Sequence, residues 1–465
     1  MKFGKNFIWG AATSSYQIEG AACHDRGGLS VWDMLGRQAG KIVNGDTGDV
    51  ACDHYQRYKN DVDLMAQIGL QAYRFSISWP RVLPEGAGKV NQHGLDFYNR
   101  LVDALLEKNI TPWITLFHWD YPYALYCRGG WLNRDSADWF ADYTAVIVDQ
   151  LSDRVSHWIT LNEPQCFIGL GHHDGVHAPG LKMGLSEVLL AAHHALLAHG
   201  KSVQAIRANA KTLPVIGAAQ ASKISIPVSD HSNDIEAARQ HMFSVREKHV
   251  FNNAWFSDPM ILGHYPEEGV KLFAADMPNV LPEDLACIKQ ELDFFGTNIY
   301  SGNHIQATAD NGYATIEIKG LAETAMGWPV TPEALYWGPK FFFERYHMPV
   351  VVTESGMAND DRVDNGRVHD RERIEFLYKY LSEYARAIED GVPALGYFLW
   401  SLLDNFEWAE GYSKRFGIVY VDYKTQQRIM KYSAYWYKAL IASHQGGHIK
   451  DALPEVDIAP TLDSV

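Results

Sequence analysis

The feature that most constrains this chain is an alternation. Short apolar runs rich in strand-forming residues recur at NFIWGAAT (6–13), AYRFSIS (72–78), PWITLFH (112–118), HWITLNE (157–163), PVIGAAQ (214–220), DFFGTNIY (293–300), PVVVTES (349–355) and LGYFLWS (395–401). Between most of them lie segments with apolar residues three and four apart, the helical spacing: 61–70, 95–110, 136–151 and 371–390. Runs without polar alternation are what strands of a parallel sheet look like when helices cover both faces. Eight such strands suffice to close a (β/α)₈ barrel. No G-x-G-x-x-G opens a helix after the first strand, which weighs against an open doubly wound sheet. The expectation is α/β, a single (β/α)₈ (TIM) barrel over residues 1–445. Extended βα loops, with added loops and helices in 221–292 and 301–335, are expected over the active-site mouth, and 446–465 is expected to be a surface tail.

At 47% hydrophobic and 21% charged residues, the 465-residue chain has ample material for one large core. The formal charge of −15 is spread without blocks. No basic stripe exists to neutralise phosphates, so neither nucleic acid nor an anionic membrane is expected as partner. The five cysteines (23, 52, 127, 166 and 287) are scattered and contain no C-x-x-C, which disfavours a disulfide framework or a thiolate zinc site. The N-terminal apolar run is too short for a signal peptide and no stretch reaches membrane-spanning length. A cytoplasmic location is the expectation; oligomeric state is open.

In a barrel of this kind the C-terminal strand ends converge on one pocket. The polar residues found there form a pattern: Gln17 past strand one, Arg74 in strand two, His118 and Trp119 after strand three, Asn162 and Glu163 after strand four. Asn298 and Tyr300 follow strand six, Glu354 strand seven, Trp400 strand eight, with Glu407 and Trp408 beyond. In the fourth segment Pro164 stands directly behind Glu163, where it is expected to block helical continuation and turn the chain into a loop. Two carboxylates facing across a pocket of Trp, Asn, Gln and His suit glycosidic cleavage, which needs a proton donor on the leaving oxygen and a second carboxylate opposite. Aromatic rings offer a platform for the C–H face of a sugar.

TLNEP and VTESG, in that order on strands four and seven, resemble family 1 glycoside hydrolases, the β-glucosidase family. NFIWGAATSSYQIEG, YRFSISWPR, FHWD, MGWPV and LLDNFEWAEGYSKRFGIVYVD are similar to its other signature stretches, in family order from residue 6 to about 435. The resemblance implies a retaining exo-β-glycosidase without cofactor or metal, acting on small β-glycosides such as cellobiose, short oligosaccharides and aryl β-glucosides. It assigns Glu163 as general acid/base and Glu354 as nucleophile, with Arg74 and Tyr300 holding Glu354 ionised and Asn298 near the reacting centre. Retention would set the two carboxyls roughly 5 to 5.5 Å apart. Gln17, His118, Asn162, Glu407 and Trp408 match the hydroxyl-binding positions, Asn162 at the 2-OH. Trp119 belongs to the same wall, Trp400 would lie under the sugar and Trp328 on the leaving-group side.

Glu407, near O4 and O6, would repel a 6-phosphate. Alternatives within the family are a 6-phospho-β-glucosidase or a member preferring β-galactosides or β-fucosides; outside it, an idle sugar-binding barrel or a metal hydrolase. The chain departs from the family pattern after HWD, where Tyr121, Pro122 and Tyr123 stand in place of Leu or Thr, Pro and Gln. The tyrosines could alter leaving-group selection or simply pack. The histidines of 171–180 and 191–200 fit no H-E-x-x-H spacing, the second set lying on an amphipathic helix. Cys166 reads as a small apolar residue rather than a nucleophile.

Overall fold

The computed structural model describes residues 1–21, 25, 27–310 and 312–445; the expected tail at 446–465 and Cys23 lie outside them. Eight parallel strands close a barrel: β1 (Ile8–Ala12), β2 (Ala72–Ser76), β3 (Thr111–Phe117), β4 (His157–Asn162), β5 (Val215–Ala221), β6 (Phe294–Asn298), β7 (Val350–Ser355) and β8 (Ala394–Trp400). Each pairs with its neighbour in sequence, and β1 closes on β8 through Ile8↔Gly396 to Ala12↔Trp400. β2 and β7 are buried along their whole length, which is why they read as unbroken runs.

Helices follow the strands in turn: α1 (His54–Ile68), α2 (Gln92–Glu107), α3 (Ser136–Leu151), α4 (Leu185–Asn209), α5 (Ala254–Ile261), α6 (Ala334–Tyr346), α7 (Arg371–Glu389) and α8 (Tyr432–Gln445). The segment expected to be helical at 61–70 starts earlier, at His54, and stops where Gly69 adopts the left-handed conformation (φ 83°) that ends helices. Below the mouth the barrel interior is filled by Trp113, Phe294 and Phe398, whose rings lie 5.4 and 4.9 Å from Trp113, so it is a packed core and not a channel. Among the described residues no helix is long and apolar enough to cross a membrane.

Two local expectations are corrected. The insertions after β5 and β6 are not only loops and helices. Ile224–Pro227 pairs in parallel with Gly302–Ala307, which pairs antiparallel with Tyr313–Ile316, giving a small second sheet. Pro164 opens a helix instead of blocking one: a π-helical segment runs from Gln165 to His173. Proline lacks the N–H that a helix leaves unpaired at its start, so it is tolerated there. The turn the sequence calls for is made one residue earlier, by Glu163 itself, at φ 49°.

Candidate active site

The site begins with irregular strand ends. The β4–β5 register shifts between Ile159 and Asn162, and the β7–β6 register between Val352 and Glu354. Such bulges re-aim side chains at barrel rims, and both sit immediately before a carboxylate of interest. Glu163 takes a left-handed backbone, sparsely populated by residues with a Cβ, and is held by its N–H donating to Ala219 O at 2.8 Å. Behind Glu354 only glycine fits: a Cβ on Gly356 would meet the carbonyl oxygen of Trp400 at 1.8 Å.

Glu163 and Glu354 line one cavity of about 380 Å³ with His118, Trp119, Asn298, Tyr300, Trp328, Trp400, Glu407 and Trp408. Arg74, Asn162 and Gln17 are fully buried and stand behind that wall. Arg74 ties the floor together. It donates to Glu354 Oε1 at 2.6 Å, to the Thr353 carbonyl at 3.0 Å, to Thr115 Oγ1 at 3.1 Å and to Asn162 Oδ1 at 2.6 Å. Tyr300 donates its hydroxyl to the other oxygen of Glu354 at 2.8 Å. Asn298 donates to Glu163 Oε1 at 2.8 Å and to Asn162 Oδ1 at 3.1 Å, while its own oxygen accepts from Thr353 Oγ1 at 2.6 Å. The two carboxylates are therefore spanned by one network, but their partners differ in kind: a guanidinium and a phenol for Glu354, an amide and a thiol for Glu163.

That difference controls their ionisation. Burial and the facing charge of Glu354 push Glu163 up to about 7. Burial also raises Glu354, against the pull of Arg74 and Tyr300. With a cation in contact, Glu354 is the member of the pair that ionises first, and Glu163 keeps its proton longer. Glu407 is raised to about 8 by burial and by the charges of Glu354 and Glu163. The like-charge argument against a 6-phosphate thus applies in full only above that pH. Burial and Arg74 keep His118 neutral, far below the usual histidine range. Asn162 Nδ2, a donor, lies 3.2 Å from His118 Nε2, so the ring carries its proton on Nδ1, a buried atom with no protein partner.

Around these groups stands an aromatic wall. The His118 ring is nearly parallel to Trp400 and Trp408, at 5.8 and 5.9 Å; Trp119 packs on Trp408 at 4.5 Å and donates Nε1–H to Asn162 O at 2.9 Å. Trp328 sits against Tyr300 at 5.3 Å. Gln17 uses its amide N–H groups on Asn405 Oδ1 (3.0 Å), Phe406 O (3.0 Å) and Glu407 Oε2 (3.3 Å), so it supports Glu407 from below.

Sequence reasoning missed several participants. Cys166, read as plain packing, donates its thiol to Glu163 Oε2 at 3.3 Å; its position one helical turn after Glu163 was the available signal. Thr353, next to Glu354, and Asn405, two residues before Glu407, orient Asn298 and Gln17. Ser222, Phe251, Ser301 and Met326 line the cavity from the insertions, where no motif marks them. Tyr121 takes the packing role: it is buried, bonded to Ser136 Oγ at 2.8 Å, and not part of the cavity wall.

The histidines resolve differently. His193 bonds Tyr265 and Asp284, His194 the Trp131 carbonyl, His199 Thr160 Oγ1, all on α4, which is buried around most of its girth and not amphipathic. His173 and Asp174 meet His249, their ligand atoms within 4.8 Å of one another. Asp174 Oδ1 takes a bond from His173 Nδ1 (3.0 Å) and His249 Nε2 (3.2 Å), and His249 Nδ1 accepts from the Phe251 N–H at 2.9 Å. That last bond keeps the proton on Nε2, so the trio is closed by its own hydrogen bonds and does not present a free imidazole lone pair from His249.

The sequence profile described as Glycosyl hydrolase family 1 matches residues 1–446. The chain belongs to this family. As a family 1 glycoside hydrolase it is 50% identical over 448 residues to the "1,4-beta-D-glucan glucohydrolase" of Thermotoga neapolitana, covering 95% of this chain and 99% of that protein. It is 48% identical over 447 residues to "Beta-glucosidase A" of Thermotoga maritima, with 95% and 98% covered. Among solved structures, the T. maritima family 1 β-glucosidase superposes with a TM-score of 0.87 at 47% identity, covering 95% of this chain and 98% of that one. The same enzyme in complex with deoxynojirimycin matches at 0.87 and 46%, with 97% and 100% covered.

Proposed function

We propose that this hydrolase is a retaining exo-β-glucosidase that removes terminal β-D-glucosyl units from cellobiose, short oligosaccharides and aryl or alkyl β-glucosides. The observation that carries the reading is the unequal pair in one cavity: Glu354 against Arg74 and Tyr300, Glu163 raised to about 7 with only neutral partners in hydrogen-bond contact. Glu354 attacks the anomeric carbon as the glycosidic C–O bond breaks, and Glu163 gives its proton to the departing oxygen. Charge on Glu354 is consumed by the new ester, which removes one cause of the raised Glu163 pKa and favours its ionised form. Glu163 then takes a proton from water as that water attacks the same carbon, and glucose leaves with Glu354 again free. Asn162, aligned by Arg74 and Asn298, would donate to the 2-OH, with His118 beside it in the cavity wall.

Exo action is supported by the wall of His118, Trp400, Glu407 and Trp408 that lines the same cavity as the two carboxylates. A β-fucosidase component is a second reading. It is favoured by the 42% identity over 470 residues to the "Bifunctional beta-D-glucosidase/beta-D-fucosidase" of Bifidobacterium breve, and by Glu407 being neutral below pH 8, when loss of a 6-OH costs least. The deciding experiment is Glu354→Gly with p-nitrophenyl β-glucoside. Hydrolysis should fall by at least ~10⁴-fold and return in part with azide, giving the α-glucosyl azide. A variant retaining full activity, or a rescued product of β configuration, would refute the assignment.

A further inference from the structure

Phe251 lines two cavities at once: the one that holds the carboxylates, and a second cleft of about 290 Å³ between the segment 223–253 and the small sheet. The second cleft is cationic in a chain whose net charge is −15. Lys223 and Arg246 stand on its wall, and neither side chain makes a hydrogen bond or ion pair with another described residue. Nearby arginines behave otherwise: Arg239 is paired with Glu344 and Arg345 with Asp258. The one carboxylate on the wall, Glu247, pairs with neither cation, and Asp174, facing His249, is already taken by two imidazoles.

Both cations are placed rather than loose. The Arg246 guanidinium lies 3.5 Å from the centre of the Tyr313 ring, and Tyr313 is fixed by its hydroxyl contact of 2.5 Å with Ser244 Oγ. Stacking occupies the face of the fork and leaves its N–H edge free, the edge that matches a carboxylate. Lys223 has its backbone clamped by Asn253, at 2.9 Å to its N–H and 2.7 Å to its carbonyl, and its ammonium 5.1 Å from the Phe251 ring. His241, between them, is pushed to its neutral form by burial and by these two cations, so it adds no charge but offers a ring nitrogen. Lys223 follows Ser222, which lines the catalytic cavity, and its ammonium stands beside Phe251, the residue that both cavities share, so a leaving group passing Phe251 reaches a cation.

We propose that this cleft is a distal leaving-group subsite selecting β-glucosides whose leaving group carries a carboxylate, such as short oligosaccharides ending in an aldonic acid. The proposal rests on the β-glucosidase reading. Glu247 on the wall favours a monoanion over a phosphate dianion.

The test compares kcat/KM for cellobiose and cellotriose with that for the corresponding aldonates, in the native enzyme and in the double variant Lys223→Met/Arg246→Met, at low salt. The aldonate-to-neutral ratio is expected to fall at least about five-fold in the variant, and in the native enzyme to fall on adding about 0.5 M salt, while p-nitrophenyl β-glucoside turnover is unchanged. Equal ratios in the two proteins would overturn it. Calorimetric binding of cellobionate, measured with and without the double substitution in a Glu354→Gln background that does not turn it over, reads the cleft apart from hydrolysis: weaker binding with the double substitution supports the subsite and equal binding rejects it. Absence of turnover on the nitrophenyl glucoside in the native protein would count against the glucosidase reading and leave the binding result to decide the cleft.

Discussion

The thiol of Cys166 donates to Oε2 of Glu163 across 3.3 Å. Burial raises this thiol well above the usual range, so it stays S–H and serves as a donor rather than a nucleophile. A donor stabilises the ionised carboxylate, and the bond lowers a Glu163 pKa that burial has driven up to about 7.

Replacing Cys166 by Ala removes that donor, so the Glu163 pKa should rise. In a rate profile where Glu163 must be protonated to start the reaction, the alkaline limb of kcat/KM lies near pH 7 and should move to higher pH in Cys166→Ala. Cys166→Ser, a stronger donor of similar size, should restore the limb or move it lower. A limb that stays in place in both variants would remove the thiol from the ionisation of Glu163.

Arg74 makes bonds from three nitrogens to Thr115, Thr353, Glu354 and Asn162, and it is fully buried. Lysine has one nitrogen with three N–H groups and cannot reproduce four bonds spread over a planar fork of three nitrogens. Arg74→Lys should therefore lose ~10²-fold or more in kcat, and Arg74→Met more, since Glu354 is then buried without its cation. The acid limb of the profile, where Glu354 must be ionised, should shift upward in Arg74→Met. A variant that altered only KM would show that Arg74 does not govern the ionisation of Glu354.

The barrel and its carboxylates were legible because both faces of each strand are buried. That writes continuous apolar runs, and a Glu at the end of such a run stands out against Val350, Val351 and Val352. The small sheet was not legible: Ile224–Pro227 and Tyr313–Ile316 are four-residue strands whose pairing depends on partners distant in sequence. Pro164 was misread because proline ends a helix from within but begins one from the edge, and the residues alone do not say which side the helix is on. Phe251 and Ser222 reach the cavity through insertions whose path no periodicity encodes. Cys166 was judged by its apolar character, while its contribution depends on the direction of one S–H bond.

Glu407, pushed up to about 8, is mostly neutral below that pH. As a neutral acid it can donate to a sugar hydroxyl and repels a phosphate only weakly. The preference for β-glucosides over their 6-phosphates should accordingly be modest near pH 6.5, where the phosphate is already largely dianionic, and grow as pH rises through 8. Glu407→Gln should flatten that rise. A discrimination equally strong at both pH values in the native enzyme would mean that size, not charge, excludes the phosphate.

Acid stability should be limited by histidines held neutral in the interior. Burial lowers His172 and His177 from 6.5 to about 4 and His199 to about 3. Below pH 6.5 the unfolded chain binds protons that the folded chain refuses, so stability falls as pH drops from 6.5 towards these values. At pH 4 each histidine costs about 3 kcal/mol, and three together cost about 9 kcal/mol, comparable to the whole stability of a typical domain. His199 is the cleanest probe: it is fully buried, its Nδ1 bonds Thr160 Oγ1 at 2.7 Å, and its Nε2 has no protein partner. His199→Gln cannot titrate. Its melting temperature should be lower than the native one at pH 7.5 but should decline less between pH 6.5 and 4.5, so the two curves converge on the acid side. Parallel curves would place the acid lability at other groups titrating in this window, such as His172 and His177; Asp361, held near 2 by Arg373 and Lys431, loses its contribution only below it, as pH falls from 3.8 towards that value.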